Sequence, residues 1–167
     1  MSYWHRSILG LTFVAPIACS NGRTQKSSAP PSTSSPELVT QHSRYRADVD
    51  SMLVRVTVAF RYTNTGPDTT FIPKCLHPVR PILEKWIDAR WEMVYQPIEP
   101  RCFEPPVVVA PGACFSYSPE IVGGRVGRNL FPEFSGEVPG YYRLVWGVHP
   151  GRGHEEQAVS NVFEIVE

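Results

Sequence analysis

The chain has 167 residues, which is room for one ordinary domain and a tail but not for two full domains. Lysine and arginine together number 16, as do aspartate and glutamate, so the formal net charge is zero. A protein that grips phosphate backbones normally carries a basic excess, so this balance argues against a nucleic-acid partner. The 17 prolines and 12 glycines favour short strands and turns over long helices.

Residues 1–18 have the pattern of an export signal. Arg6 lies in a short positive segment, and the apolar run Ile8–Ala18 that follows is too short for a membrane span. The run ends directly on Cys19, followed by Ser20. This boundary resembles the lipobox of bacterial lipoproteins, in which a small residue precedes a cysteine that is acylated and becomes the new amino terminus. It departs from the family at Pro16, where leucine is usual.

The resemblance implies that Cys19 carries lipid and anchors the protein in a bacterial cell envelope. Serine directly after the cysteine resembles the outer-membrane sorting pattern of Gram-negative lipoproteins. An ordinary secretory signal cut nearby is the alternative, and it predicts a periplasmic or secreted protein with Cys19 incidental. No other part of the sequence is long and apolar enough for a transmembrane helix.

Residues 19–43 are predicted to form a disordered tether. They are dense in serine and proline and carry almost no apolar side chains, so they cannot bury enough surface to fold. A flexible chain of this length spans about 25–30 Å root-mean-square. That is enough to hold a domain clear of lipid headgroups.

Residues 44–167 are predicted to form one all-β domain. The clearest strand is Leu53–Thr63, in which apolar and polar residues alternate, as in a half-buried antiparallel strand. The apolar positions are Val54, Val56, Val58, Phe60 and Tyr62. Further strands are expected at 70–72, 81–86, 91–95, 107–109, 113–117, 141–148 and 159–166. Residues 81–86 and 91–95 form a predicted hairpin, and the whole pattern indicates a two-sheet antiparallel sandwich.

Two local patterns resemble immunoglobulin-like domains. Tyr142 follows Gly140 and stands two residues before the apolar Leu144, which resembles the tyrosine corner of such sandwiches. The turn sequences at 64–66, 110–112 and 139–140 are similar in order to those of bacterial exported domains, among them the proteinase-inhibitor domain BsuPI. The resemblance implies an immunoglobulin-like sandwich and assigns no functional residue.

The cysteines predict one disulfide. If Cys19 takes lipid, then Cys75, Cys102 and Cys114 remain in an oxidising compartment, where three pairings are possible. We expect Cys75 to bond Cys102, because both lie in proline-rich loops that flank the hairpin, and the bridge would stabilise by about 3 kcal/mol. Cys114 is expected to be a small buried side chain. A zinc ion held by Cys75, His77 and Cys102 is the rival hypothesis.

The remaining polar clusters do not demand an enzyme. An acid–base or metal site could be formed by His149 and His154 with the adjacent Glu155 and Glu156. A solvent-exposed hairpin tip rich in polar residues is the preferred interpretation. The glycine-rich run at 123–129 has two arginines but lacks the P-loop lysine. No Gly-x-Ser-x-Gly or His-Glu-x-x-His motif occurs. The sequence therefore predicts no catalytic residue, no cofactor and no metal site.

The sequence leaves the environment of two of the tryptophans open. Trp146 shares a face with Tyr142 and Leu144 and is expected in the core. Trp86 and Trp91 bracket the hairpin turn. They either pack at the rim of the sandwich or form an exposed aromatic patch.

Three functions remain in order of preference. The first is a non-catalytic cell-envelope lipoprotein that binds a protein or an envelope component through strand edges and loops. The second is an exported proteinase inhibitor that uses the proline-rich loop Gln96–Cys102, which a disulfide would stiffen. The third is a hydrolase or metal-dependent enzyme, which needs a pocket of converging polar groups.

Overall fold

The computed structural model describes residues 29–31, 37–98, 104–151 and 153–167. The predicted signal peptide, Cys19, most of the predicted tether and Cys102 lie outside these residues. The described part is all-β, as predicted, and contains sixteen strands and no helix. It holds no helix able to span a membrane. The strands are β1 (Leu38–Thr40), β2 (Arg44–Arg46), β3 (Asp48–Val49), β4 (Leu53–Thr57), β5 (Phe60–Thr63), β6 (Thr70–Ile72), β7 (Lys74–Cys75), β8 (His77–Pro78), β9 (Ile82–Ile87), β10 (Arg90–Tyr95), β11 (Val107–Val109), β12 (Cys114–Tyr117), β13 (Glu120–Gly124), β14 (Gly140–Pro150), β15 (Glu156–Val159) and β16 (Phe163–Val166).

The first layer is built on the alternating segment 53–63. Its five alternating apolar side chains are all buried, as the alternation predicts. The segment is interrupted at 58–59, so it forms β4 and β5 instead of one strand. The interruption faces Pro119, which has no N–H to donate to the ladder; its carbonyl accepts from Val58 N at 3.3 Å. On either side, β4 pairs with β13 and β3, and β5 pairs with β12 and β1.

The second layer is organised around β14. The first half of this strand pairs with β9 and β16, and its second half pairs with β15 and β6. The sheet runs β10-β9-β14-β16-β2, and only β16 and β2 are parallel among these pairs. Trp146 joins the layers, because its ring lies 5.0 Å from that of Phe60 and 6.1 Å from that of Phe115. Trp146 is fully buried, as expected, and the architecture is consistent with a β-sandwich.

The folded part begins earlier than residue 44, the boundary that composition suggests. Leu38 pairs with Tyr62 and has no exposed surface, and Thr40 N donates to Asn161 Oδ1 at 2.8 Å. Residues 38–40 therefore belong to the sheet and not to a tether. Their three-residue Leu-Val-Thr pattern is too short to stand out from the serine- and proline-rich residues before it.

Two smaller predictions concern turns. The hairpin expected at 81–95 is confirmed as β9 and β10, joined by Asp88 and Ala89 at φ 48° and 64°, the positive values that a tight two-residue hairpin turn requires. Tyr142 is buried, and its hydroxyl donates to the carbonyl of Val138 four residues upstream. That bond is the one a tyrosine corner makes.

Candidate functional site

The β7–β8 hairpin ends in an unusual tip. Lys74 pairs with Pro78 and Cys75 with His77, so Leu76 alone makes the reversal. Leu76 has a φ of 62°, a left-handed conformation that costs a non-glycine residue about 1–2 kcal/mol. Its side chain is 80% exposed. Backbone strain and an apolar side chain in water coincide at one residue, and such coincidences concentrate at binding sites.

The tip is held from several sides. The Glu104 carboxylate accepts from Leu76 N at 3.1 Å and lies 3.7 Å from Lys74 Nζ, so it bridges the tip and one arm. Cys75 is disulfide-bonded. Val79 N donates to Pro73 O at 3.0 Å and closes the base. These contacts hold the strained conformation in place.

The hairpin is also joined to the core. Tyr117 donates its hydroxyl to Pro78 O at 3.1 Å. The Trp146 indole N–H donates to Val79 O at 2.7 Å. Since Trp146 lies at the centre of the sandwich, Leu76 is presented on a support that is continuous with the core.

A cleft of about 140 Å³ opens beside the tip. It is lined by Cys75, His77, Pro78, Val79, Arg80, Pro97 and Ile98. Ile98, which is 66% exposed, adds apolar surface to the cleft. Arg80 is exposed and forms no ion pair with the described residues. The surface therefore combines the exposed Leu76 side chain, an adjacent cleft and the guanidinium of Arg80, unpaired within the described part of the chain.

The structure places the predicted cysteine sites as follows. Cys75 is in a disulfide whose partner lies outside the described residues, so the pairing with Cys102 stays a prediction. A disulfide sulfur is not a thiolate ligand, which removes Cys75 from the zinc hypothesis. The described residues contain no cluster of three or more histidine, cysteine or acidic side chains able to hold a metal ion.

The expectation for Cys114 was wrong. Cys114 is free and exposed, because β12 turns Phe115 toward Trp146 and leaves Cys114 on the opposite face. Its sulfur lies 3.4 Å from Thr63 Oγ1. Apolar neighbours in the sequence misled the prediction, since adjacent residues of a strand point to opposite faces.

The glycine-rich run at 123–129 is used for packing. The amides of Gly124, Arg125 and Arg128 donate to backbone carbonyls within the protein, so they do not point outward as an anion cradle. A Cβ at Gly123 would lie 2.7 Å from the Phe134 ring, and one at Gly124 would lie 2.4 Å from Leu130 O. The glycines therefore allow two segments to approach closely.

The other polar and aromatic candidates are dispersed. His149 lies in β14 opposite Phe71, whereas His154, Glu155 and Glu156 are exposed.

Trp86 and Trp91 form a half-buried cross-strand pair with ring centroids 5.2 Å apart. The Arg143 guanidinium lies 4.6 Å from the Trp91 ring centroid. They are packed on the outer face of the sheet and do not form an open aromatic patch.

Among the perturbed titratable groups, Tyr117 contacts the Leu76 hairpin: burial raises the pKa of its hydroxyl, which donates to Pro78 O. Hydrogen bonds from the Met52 and Leu53 amides, together with Arg55, lower the pKa of Asp50 to about 2. Burial lowers the pKa of Lys85 and raises that of Tyr142. These shifts follow from burial and from hydrogen bonds within the fold.

Comparison with known proteins gives no match to any family model, curated protein or solved structure. The site therefore stands on geometry. Sequence reasoning did not single out Leu76, although a leucine between cysteine and histidine in a proline-flanked turn is the signal that marks it. Two residues of the loop expected to bind a proteinase, Pro97 and Ile98, line the same cleft.

Proposed function

We propose that this protein is a non-catalytic binding module of the bacterial cell envelope, anchored through a lipid on Cys19, that recognises a partner protein with the β7–β8 hairpin tip. The observation that carries the proposal is Leu76, which is strained, 80% exposed and held by Glu104. A side chain already fixed in place loses little conformational freedom on binding. An exposed apolar side chain on a rigid support suits an anchor that fills a partner's pocket.

The chemistry of the surface defines the partner. Leu76 calls for an apolar pocket, and the cleft between Pro78 and Ile98 accepts a small apolar side chain. Arg80 adds a cation at the edge of that cleft, where a carboxylate of the partner would form a charge-assisted hydrogen bond. The expected partner is therefore a protein that offers an apolar pocket next to an acidic group.

The proposal includes an immunoglobulin-like type of sandwich and a disulfide between Cys75 and Cys102. The Tyr142–Val138 hydrogen bond supports an immunoglobulin-like sandwich. A bonded Cys75 and a free Cys114 support a Cys75–Cys102 disulfide when Cys19 carries lipid. The apolar run before Cys19 supports export and anchoring.

A proteinase-inhibitor function remains the alternative and does not fit Leu76. A β-strand-type recognition groove binds an extended chain, and a φ of 62° is not extended. An inhibitor would have to use Gln96–Cys102, of which residues 99–102 lie outside the described residues. This distinction makes the two functions separable by mutation.

The test is capture of a partner from envelope extract by the immobilised protein. Leu76→Gly removes the anchor and suits a positive φ, so the fold should persist while capture falls at least about tenfold. Val126→Ala is the matched control, because it trims another exposed apolar side chain, 57% exposed, in a loop elsewhere. Equal capture by Leu76→Gly and the unmodified protein would refute the proposal. A captured proteinase that stays inhibited by Leu76→Gly would favour the inhibitor.

A further inference from the structure

Residues 29–31 lie against the domain although their sequence, Ala-Pro-Pro, belongs to the serine- and proline-rich part of the chain. Pro30 is buried, whereas Ala29 and Pro31 on either side of it are exposed. A residue buried between two exposed neighbours is covered by another part of the molecule. Composition alone predicts no such contact, because segments of this kind lack apolar surface.

The surface that covers Pro30 is a groove on the second layer. It encloses about 480 Å³ and is lined by Ala29, Pro30, Ser43, Arg44, Tyr141, Val162, Phe163 and Glu164. Three of these residues form a row across adjacent strands, because Glu164 in β16 pairs with Tyr141 in β14 and with Arg44 in β2. The Arg44–Glu164 ion pair, 2.7 Å between Nη2 and Oε2, closes one side. An aromatic ring and apolar side chains make the floor.

This chemistry suits proline. A proline-rich segment is stiff before it binds, so docking it on an aromatic-lined groove costs little conformational entropy. Tyr141 supplies the aromatic ring, and Val162 supplies apolar surface. The occupant is the chain's own segment, since Pro30 already lies there.

We propose that Ala29–Pro31 is a strap that docks in cis on this groove and fixes how the domain is held relative to its amino terminus. The docked Ala29 is ten positions after Cys19 along the chain, which limits the reach to at most about 36 Å. Without the strap, the first position tied to the sheet would be Leu38 in β1, 19 positions after Cys19, and the reach would be about 68 Å. The strap thus holds the outer face of β14, β16 and β2 near the anchor. Only the identity of the anchor rests on the proposed function; the docking does not.

The first test is the rate at which trypsin cuts after Lys26 in the purified full chain. A protease needs several extended residues on both sides of the bond, so a docked Ala29 slows the cut. Pro30→Gly and Tyr141→Ala should each raise the rate at least about fivefold, because cleavage follows the population of the open form. Pro31→Gly is the matched control, since Pro31 is exposed, and it should change the rate less than about twofold. Equal rates for all three variants would overturn the strap.

The second test is a nuclear Overhauser contact between the Pro30 and Tyr141 rings. It should be present in the full chain, unaffected by Pro31→Gly, and independent of protein concentration. Absence of the contact overturns the proposal. A contact that appears only at high concentration also overturns it, because the groove would then hold the segment of a second copy. Neither test involves Leu76, lipid or a partner protein, so its outcome is separate from that of the proposed function.

Discussion

The β9–β10 and β7–β8 hairpins both reverse the chain with left-handed backbone, but the conformation has a different role in each. Asp88 and Ala89 have φ 48° and 64°, and Leu76 has φ 62°. The first turn joins two six-residue strands, and their tryptophans pack together behind it. The second joins two-residue strands, and its leucine contacts mostly water. Left-handed backbone is a means of building the sheet in one hairpin and of presenting a side chain in the other.

The difference predicts where each hairpin is sensitive. In β9–β10 the stabilising free energy comes from side chains that point into the core, so the volume of those side chains determines stability. In β7–β8 it resides in covalent and polar restraints, namely the Cys75 disulfide and the Glu104 carboxylate. Substitutions that reduce core volume should therefore destabilise β9–β10, and substitutions that remove the disulfide or the carboxylate should destabilise β7–β8.

The largest expected effect is loss of core volume in the packed hairpin. Leu83 in β9 is fully buried, so Leu83→Ala should lower the free energy of unfolding by about 2–5 kcal/mol. Met93 in the partner strand is 54% exposed, and Met93→Ala should cost less than about 0.5 kcal/mol. Urea denaturation measures both. Similar losses at the two positions would mean that β9–β10 does not pack as described.

Removing the covalent restraint should come next. Cys75→Ser should lower the free energy of unfolding by about 2–4 kcal/mol, because the unfolded chain gains freedom when the bridge is lost. Cys114→Ser is the control, since Cys114 is free and exposed, and it should stay within about 0.5 kcal/mol. Denaturation under non-reducing conditions is the measurement. A loss at Cys114 as large as that at Cys75 would contradict the assignment of the bridge.

Glycine at the two turns should stabilise. Ala89→Gly and Leu76→Gly each relieve a left-handed conformation, and the gain exceeds the entropy of the unfolded glycine by about 0.5–1 kcal/mol. Val126→Gly, in a loop without positive φ at that residue, should instead lose a similar amount. Urea midpoints compare the three. A gain at residue 89 with a loss at residue 76 would show that contacts of the Leu76 side chain matter to the fold.

The smallest expected effect is a pH dependence of stability that arises from Lys85 in the packed hairpin. Burial lowers the pKa of Lys85 below 10.5, so the folded chain releases this proton at a lower pH than the unfolded chain does. The free energy of unfolding should therefore rise as pH increases through the folded pKa toward 10.5, and Lys85→Met should abolish that rise.

Tyr142 opposes the rise at the alkaline end. Burial raises the pKa of its hydroxyl above 10.0, so the unfolded chain loses that proton first and stability falls above that pH. Tyr142→Phe should reduce the fall and leave the Lys85 slope in place. Tyr45, Tyr62, Tyr95 and Tyr117, whose pKa values burial also raises, account for the remaining fall. Denaturation at a series of alkaline pH values separates the two. A Lys85→Met profile identical to that of the unmodified chain would contradict the burial of the ammonium.

The sequence was sufficient wherever a pattern repeats. Alternation over 53–63 identified the central strand, and the hairpin boundaries at 81–95 were right to within a residue. Prediction from the sequence failed where the burial or conformation of a single residue depends on a distant contact. Leu38 is a single apolar residue in a polar run, and only its partner Tyr62 shows that it is core. The exposure of Cys114 depends on strand register, and the conformation of Leu76 depends on Glu104, 28 residues away. Contacts between distant residues leave no local pattern.

Strand β1 covers an edge that would otherwise be open. It covers one edge of β5, and Leu38 also bridges to Ser160 of the second layer. A chain that begins at residue 44 leaves the N–H and C=O groups of β5 unpaired along that edge. Such an edge is a template on which another copy can add a strand. Phe60 and Tyr62 give β5 a high strand propensity, so a chain truncated just past β1 is expected to self-associate more readily than the full chain.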